Sequence, residues 1–115
     1  MTRIVLVSLA GLLLAAPAFA STPRLAVSPA TAAPGAAVRV SGNAGSCPVG
    51  DTVTAISRAF PGHAYGQGTL TGKVRAGHSF SFAGKVRSGL KPGRYAVTAR
   101  CGGGNLGVVA HVRVR

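Results

Sequence analysis

The fold of this chain is decided by LKPGRYAVTARC, residues Leu90–Cys101. A Pro-Gly pair is a strong turn signal, and the residues that follow it alternate between inward and outward positions. Alternation with a period of two is typical of a β-strand that buries one face. The stretch therefore predicts a strand whose buried face carries Tyr95, Val97, Ala99 and Cys101.

Short alternating runs of the same kind recur along the rest of the chain. With 17 Gly and 7 Pro, the composition favours an all-β protein with frequent turns, and no window after Ala20 has an amphipathic helical repeat. Phe80 and Phe82 alternate with small polar residues and are expected to face the core. Residues 51–60 alternate imperfectly, which predicts a bulge or a sheet edge there. We predict seven strands, within residues 24–28, 37–42, 51–60, 69–74, 78–86, 94–101 and 106–115.

Several turn and core motifs recur along the chain: Val27-Ser28-Pro29, Pro34-Gly35, Cys47-Pro48-x-Gly50, Pro92-Gly93-x-Tyr95-x-Val97 and Cys101-Gly102-Gly103. The Leu-x-Pro-Gly-x-Tyr corner is similar to the tyrosine corner of Greek-key sandwiches. Together these motifs resemble those of small secreted immunoglobulin-like proteins common in actinobacteria. The resemblance covers nearly all of residues 21–115 and implies a seven-stranded immunoglobulin-like Greek-key sandwich.

A second, weaker likeness is to the apoproteins that carry enediyne chromophores, which are small sandwiches with a ligand cleft. Those carriers have two short-loop disulfides and an acidic balance, whereas this chain has two cysteines and is basic. The likeness implies an alternative function as a small-molecule carrier. Its cleft is expected among the loops that contain Cys47, residues 61–68 and residues 102–105.

The N-terminus has the parts of a cleavable signal peptide. Arg3 precedes an apolar run of 13 residues, Ile4–Ala16, and Ala18-Phe19-Ala20 suits signal peptidase. The run is shorter than the roughly 18 to 20 residues that cross a bilayer, so a retained anchor is the less favoured alternative. We predict a signal peptide at residues 1–20, one sandwich domain at residues 21–115, no membrane span after cleavage, and a monomer that is secreted or loosely associated with the cell wall.

The chain contains two cysteines, and an exported protein reaches an oxidising compartment. The only intramolecular pairing is Cys47–Cys101, which closes a loop of 54 residues. In the predicted sandwich the two cysteines fall in corners at the same end, so the bridge is expected to join two loops at the rim. Two free thiols or a metal pair are the alternative, although two cysteines are too few for a zinc site.

Charge is the least ordinary feature of the sequence. Without residues 1–20 the chain keeps 12 of its 13 basic residues against one acid, Asp51, which gives a formal charge of +11. Such a charge attracts polyanions in a salt-dependent way. The alternative is that it reflects coding composition and a need for solubility.

An anionic polymer of the cell envelope, such as teichoic acid or an acidic glycan, is the partner that best fits this charge and compartment. Basic residues spaced two apart, such as Lys73 and Arg75, are expected to share a sheet face at a spacing of about 7 Å. The sequence has no Trp for base stacking, so a sequence-specific nucleic-acid partner is not expected. The predicted polyanion-binding residues are Arg39, Arg58, Lys73, Arg75, Lys85, Arg87, Arg100, Arg113 and Arg115.

The sequence contains few of the residues that enzyme catalysis requires. A single carboxylate side chain cannot form the acid–base pair of a glycosidase or a calcium cage. A hydrolytic triad would need Asp51 as its orienting residue, and a metal site would need two of His63, His78 and His111 to converge. Residues 102–104, three glycines, either form a hairpin or cradle an anion with their backbone N–H groups. We predict a non-enzymatic interaction module with no catalytic residue, cofactor or metal.

Overall fold

Alternating valines, alanines and phenylalanines form the buried faces of two β-sheets, which pack together as a β-sandwich. The computed structural model describes residues 22–62 and 67–115; the predicted signal peptide lies outside them. The strands are β1 (Arg24–Ser28), β2 (Thr31–Ala32), β3 (Ala37–Asn43), β4 (Thr52–Ser57), β5 (Gly68–Lys73), β6 (Ser79–Lys85), β7 (Gly93–Cys101) and β8 (Gly104–Val114). A single 3-10 turn, Ala76–His78, joins β5 to β6.

One sheet has the strand order β1-β3-β6 and the other has β2-β8-β7-β4-β5. The eight strands differ from the predicted seven because the first stretch of chain contributes to both sheets. β1 pairs with β3, whereas β2 pairs in parallel with β8. Pro29 lies between β1 and β2 and has no N–H to continue a ladder, so the chain leaves one sheet there and joins the other.

The predicted core faces are confirmed. Phe80 and Phe82 are buried and stack with ring centroids 5.8 Å apart. On β7, Tyr95 is half-buried, and Val97, Ala99 and Cys101 are buried.

The expectation of a bulge or an edge in residues 51–60 was wrong. β4 lies between β7 and β5 and pairs with both in continuous register. Its alternation is imperfect because the strand ends in a buried turn, where the Ser57 hydroxyl accepts a hydrogen bond from the Ala59 N–H at 3.1 Å. The register shift lies instead between β7 and β8, at Thr98 and Arg100.

The two sheets lie close together where Leu70 on β5 packs against Gly84 on β6. A Cβ at Gly84 would lie 2.4 Å from the Leu70 methyl carbons, a distance that side-chain atoms do not adopt. Leu70 therefore fills the space that the absent side chain leaves, and the sheets interlock at this edge.

The strands give the sandwich two distinct ends. At the disulfide end, Cys47 after β3 is bonded to Cys101 at the end of β7, with a Cα–Cα distance of 6.4 Å, which confirms the predicted pairing. At the opposite end, the Tyr95 hydroxyl donates a hydrogen bond to the Lys91 carbonyl at 2.7 Å. That contact is the geometry expected of a tyrosine corner.

Within the described ranges, no helix has the length and apolar character that a membrane crossing requires.

Candidate functional site

Positive charge is concentrated at the end of the sandwich opposite the disulfide. β4, β6 and β8 all run toward this end, and β7 begins there, so the residues at those strand ends and in the adjoining loops come together. Asp51, the only acidic residue in the sequence, precedes β4 and lies at the disulfide end. We call the cationic end the basic end; its residues are Arg58, Lys85, Arg87, Lys91, Arg94, Arg113 and Arg115.

Two positively charged residues form a cross-strand pair on β7 and β8. Arg94 and Arg113 are directly opposite each other in the antiparallel register, and both are exposed on the sheet face that points away from the core. Directly opposed side chains have Cβ atoms about 4.5–5.5 Å apart, so like charges there repel. One Arg94 guanidinium nitrogen lies 3.3 Å from His111 Nδ1. Because arginine only donates, this ring nitrogen is the acceptor.

A second pair of arginines joins the two sheets at the basic end. The Arg87 backbone N–H donates to the Ala59 carbonyl at 2.8 Å, and its Nε donates to the Arg58 carbonyl at 3.1 Å. These bonds fasten the loop after β6 to the turn after β4. The positions of the Arg58 and Arg87 backbones are therefore fixed by the fold, while both side chains stay exposed.

A shallow depression connects the two pairs. Arg58 and Arg94 both line it, together with Gln67 and residues 93–96, and its volume is about 390 Å³. No acidic residue lies in it, since Asp51 belongs to the opposite end. Two exposed guanidinium groups at one concave surface can bind neighbouring phosphates or sulfates, because each offers a planar fork of N–H donors.

Five of the nine predicted polyanion-binding residues lie at the basic end: Arg58, Lys85, Arg87, Arg113 and Arg115. Arg39 lies on the outer face of the three-stranded sheet, where it donates to the Ser81 hydroxyl at 3.0 Å. Arg100, which donates to the Gly103 carbonyl, lies at the disulfide end with Lys73 and Arg75. The predicted set is thus divided between the two ends.

The prediction that basic residues two apart share a sheet face was wrong for Lys73 with Arg75 and for Lys85 with Arg87. β5 ends at Lys73 and β6 ends at Lys85, so Arg75 and Arg87 lie in loops. The reason is that the buried valine after each strand, Val74 or Val86, is the last residue to pack before the chain turns.

Two basic-end residues, Lys91 and Arg94, were absent from the predicted set. The alternation around Tyr95 already directs Arg94 outward, but only the pairing of β7 with β8 places it opposite Arg113. Lys91 is held at this end by the hydrogen bond that the Tyr95 hydroxyl donates to the Lys91 carbonyl.

The other residues that could bind a metal ion are either far apart or already bonded within the protein. Asp51 Oδ2 lies 3.7 Å from Cys47 Sγ, but both sulfur atoms of this cluster belong to the disulfide and are not available as thiolates. His78 Nδ1 contacts the Cys47 carbonyl at 2.8 Å at the disulfide end, whereas His111 lies on the outer face of β8. His63 is outside the described residues.

The loops expected to form a carrier cleft lie at opposite ends of the sandwich. Cys47 and residues 104–105 share a depression of about 430 Å³ beside the disulfide. Residues 61–62 and 67–68 lie at the basic end, where β4 ends and β5 begins, and residues 63–66 are outside the described part. The described residues of the expected cleft are thus divided between the two ends.

No protein-family model and no curated protein matches the sequence. Among solved structures, the chain is similar to the alkylpurine DNA glycosylase AlkC of Pseudomonas fluorescens bound to DNA containing an abasic site analogue, with a TM-score of 0.50 and 22% identity. The match covers 80% of this chain and 29% of the glycosylase, so the chain spans less than a third of that protein's length. At this identity the likeness concerns the fold alone.

Proposed function

We propose that this protein is a secreted, non-enzymatic β-sandwich that binds extracellular anionic polymers through its basic end. The observation that carries the proposal is the uneven distribution of charge: seven basic residues gather at one end with no acid among them, whereas the other end has fewer basic residues and the only acid of the sequence. A polymer with regularly spaced anions is the ligand that contacts several of these residues at once.

The chemistry of the basic end favours phosphate or sulfate groups. Guanidinium groups bind these anions with two parallel N–H donors. Five of the seven cations are arginines fixed by strands or by hydrogen bonds to the backbone: Arg58, Arg87, Arg94, Arg113 and Arg115. The fixed backbone lowers the entropy lost on binding.

Export of the chain would place it beside such polymers. Residues 1–20 have the pattern of a signal peptide, and the Cys47–Cys101 disulfide fits an oxidising compartment. Envelope polymers such as teichoic acids and acidic glycans carry the required anions. The division of the first strand between both sheets and the tyrosine corner support an immunoglobulin-like Greek-key classification.

The proposal assigns the protein no catalytic role. Asp51, the single acidic side chain, lies beside the disulfide and far along β4 from the basic end. General acid–base catalysis needs titratable groups within hydrogen-bond reach of the substrate and of each other.

The test is retention of residues 21–115 on purified cell envelope across a salt gradient. We expect retention at low salt that falls steeply as salt rises, because cations bound to the polymer are released on association. Envelope stripped of its anionic polymers by acid is the control and is expected to retain little protein. Duplex DNA, to which the glycosylase neighbour is bound, serves as a second polyanion and is expected to bind without sequence preference. Retention that is unchanged at high salt would overturn the proposal.

A further inference from the structure

A second large depression lies on the side of the sandwich, away from the basic end. It is a cleft of about 670 Å³ between β1 and β8. Its apolar lining comes from Leu25, Phe80, Val108 and Val109, and its remaining lining residues are Arg24, Ala26, Ser41 and Gly42. The volume falls within the range of about 300–1,000 Å³ that is typical of sites for small organic ligands.

The topology leaves this side of the molecule open. β1 is an edge strand, and β8 pairs with β2 only at Arg113 and Val114, so the earlier residues of β8 have no strand on that side. A Cβ at Gly42 would collide with the Arg24 backbone and with Phe80 Cζ, so the glycine lets β1 lie close to β3 beside the cleft. The cleft is therefore built by strand pairing rather than by a loop.

The cleft exposes apolar surface to water. Val109 is 58% exposed, one of two large hydrophobic residues that stand out in this way among the described residues, and its neighbour Val108 is half-buried beside it. The other is Val49, also 58% exposed, which lies in the loop after β3 and outside the cleft lining. Exposed apolar residues that border a concave surface are typical of binding sites.

The charge of the cleft determines which apolar ligand fits it. Arg24 is its only charged lining residue, and Ser41 adds a hydroxyl that can donate a hydrogen bond. An apolar molecule with an anionic head group matches both features: its chain covers Leu25 and the two valines, and its head group meets Arg24. We propose that this cleft binds small amphiphilic anions, such as medium-chain carboxylates or alkyl phosphates.

This site is independent of the basic end, so the two proposals can fail separately. The probe is laurate, titrated into residues 21–115 below its micelle concentration and followed by calorimetry. We expect saturable binding of one laurate per chain and weaker binding of dodecyl maltoside, which has a similar alkyl chain but no charge.

Matched variants assign laurate to the cleft. We expect Val109→Asn to weaken laurate binding by about tenfold, because it removes an apolar contact, while Val49→Asn makes the same change at an equally exposed residue and leaves binding within about twofold. Arg24→Gln is expected to weaken the binding of laurate but not the binding of dodecyl maltoside. Arg39→Gln, which removes an arginine outside the cleft, is the control. Thermal melts establish that each variant is folded.

Three results would overturn the assignment. The first is the absence of saturable laurate binding to the wild-type protein. The second is equal binding by the wild type and Val109→Asn. The third is loss of laurate binding in Arg94→Gln with no change in Val109→Asn, which would place the anion at the basic end instead.

Discussion

Arg94 on β7 and Arg113 on β8 lie directly opposite each other on the outer face of the five-stranded sheet. Like charges in such a pair repel, and the only carboxylate side chain in the sequence is at the far end of the molecule. A bound polyanion would neutralise this repulsion. The arrangement thus links the stability of the sheet to the binding of an anion.

Replacing Arg94 by Thr should affect the stability of the domain and its binding to anionic envelope in different ways. Removing one member of the repelling pair is expected to leave the free energy of unfolding unchanged or to raise it by up to about 0.5 kcal/mol at low salt. Retention on anionic envelope should fall in the same variant. Lys73→Thr is the control, because Lys73 is opposite Thr52 and donates to its hydroxyl, so that substitution relieves no repulsion. A loss of more than about 1 kcal/mol in Arg94→Thr would contradict this interpretation.

Removing the disulfide should destabilise the domain without altering its anion binding. We expect the double substitution of Cys47 and Cys101 by Ala to cost roughly 2–5 kcal/mol, since the bridge closes a loop of 54 residues in the unfolded chain. Chemical denaturation measures this change. Envelope retention, measured where the variant is still folded, should equal that of the wild type because the bridge lies at the opposite end. A variant that is folded but no longer retained would show that the basic end depends on the bridge.

The tyrosine corner is expected to stabilise the basic end. Tyr95→Phe keeps the ring but removes the hydroxyl that donates to the Lys91 carbonyl at 2.7 Å. The expected cost is about 1 kcal/mol, typical of one intramolecular hydrogen bond. Hydrogen exchange should also become faster at the backbone amides of Leu90, Lys91, Gly93 and Arg94. Unchanged melting and exchange would show that the corner is not held by this bond.

The close approach between β5 and β6 predicts a small cost for a side chain at Gly84. Gly84→Ala places a Cβ against the Leu70 methyl carbons, which can move because they end a flexible side chain, so the free energy of unfolding is expected to fall by about 1 kcal/mol. Gly103→Ala is the control, because nothing lies within 4 Å of the position of its Cβ. Equal stability of the two variants would mean that the edge relaxes without cost.

Much of the fold followed from local patterns in the sequence. The alternation after Pro92-Gly93 identified β7 and its buried face, and the two cysteines of the chain left one pairing. The division of the first strand into β1 and β2 did not follow, because a two-residue strand such as Thr31–Ala32 is too short to show any periodicity.

The composition of the basic end needed information that no local pattern contains. Arg58 follows the end of β4 and Arg94 lies at the start of β7. Because the two strands are antiparallel, these arginines line one depression although 36 positions separate them in the sequence. Register decides that Arg94 is opposite Arg113. Five of the basic-end residues were in the predicted set because they are basic, not because the sequence indicated that they lie together.

The central claim is that the basic end, and not the net charge alone, binds the polymer. The most direct measurement is the salt dependence of binding to poly(glycerol phosphate) for two triple variants that each remove three positive charges. One is Arg58→Gln, Arg94→Gln and Arg113→Gln at the basic end; the other is Arg39→Gln, Lys73→Gln and Arg75→Gln elsewhere. The logarithm of the association constant falls linearly with the logarithm of the salt concentration, and each lost phosphate contact reduces the magnitude of that slope by roughly one. We predict that the magnitude of the slope falls by about 2 to 3 for the basic-end variant and is nearly unchanged for the other variant. Equal reductions in both variants would contradict the claim.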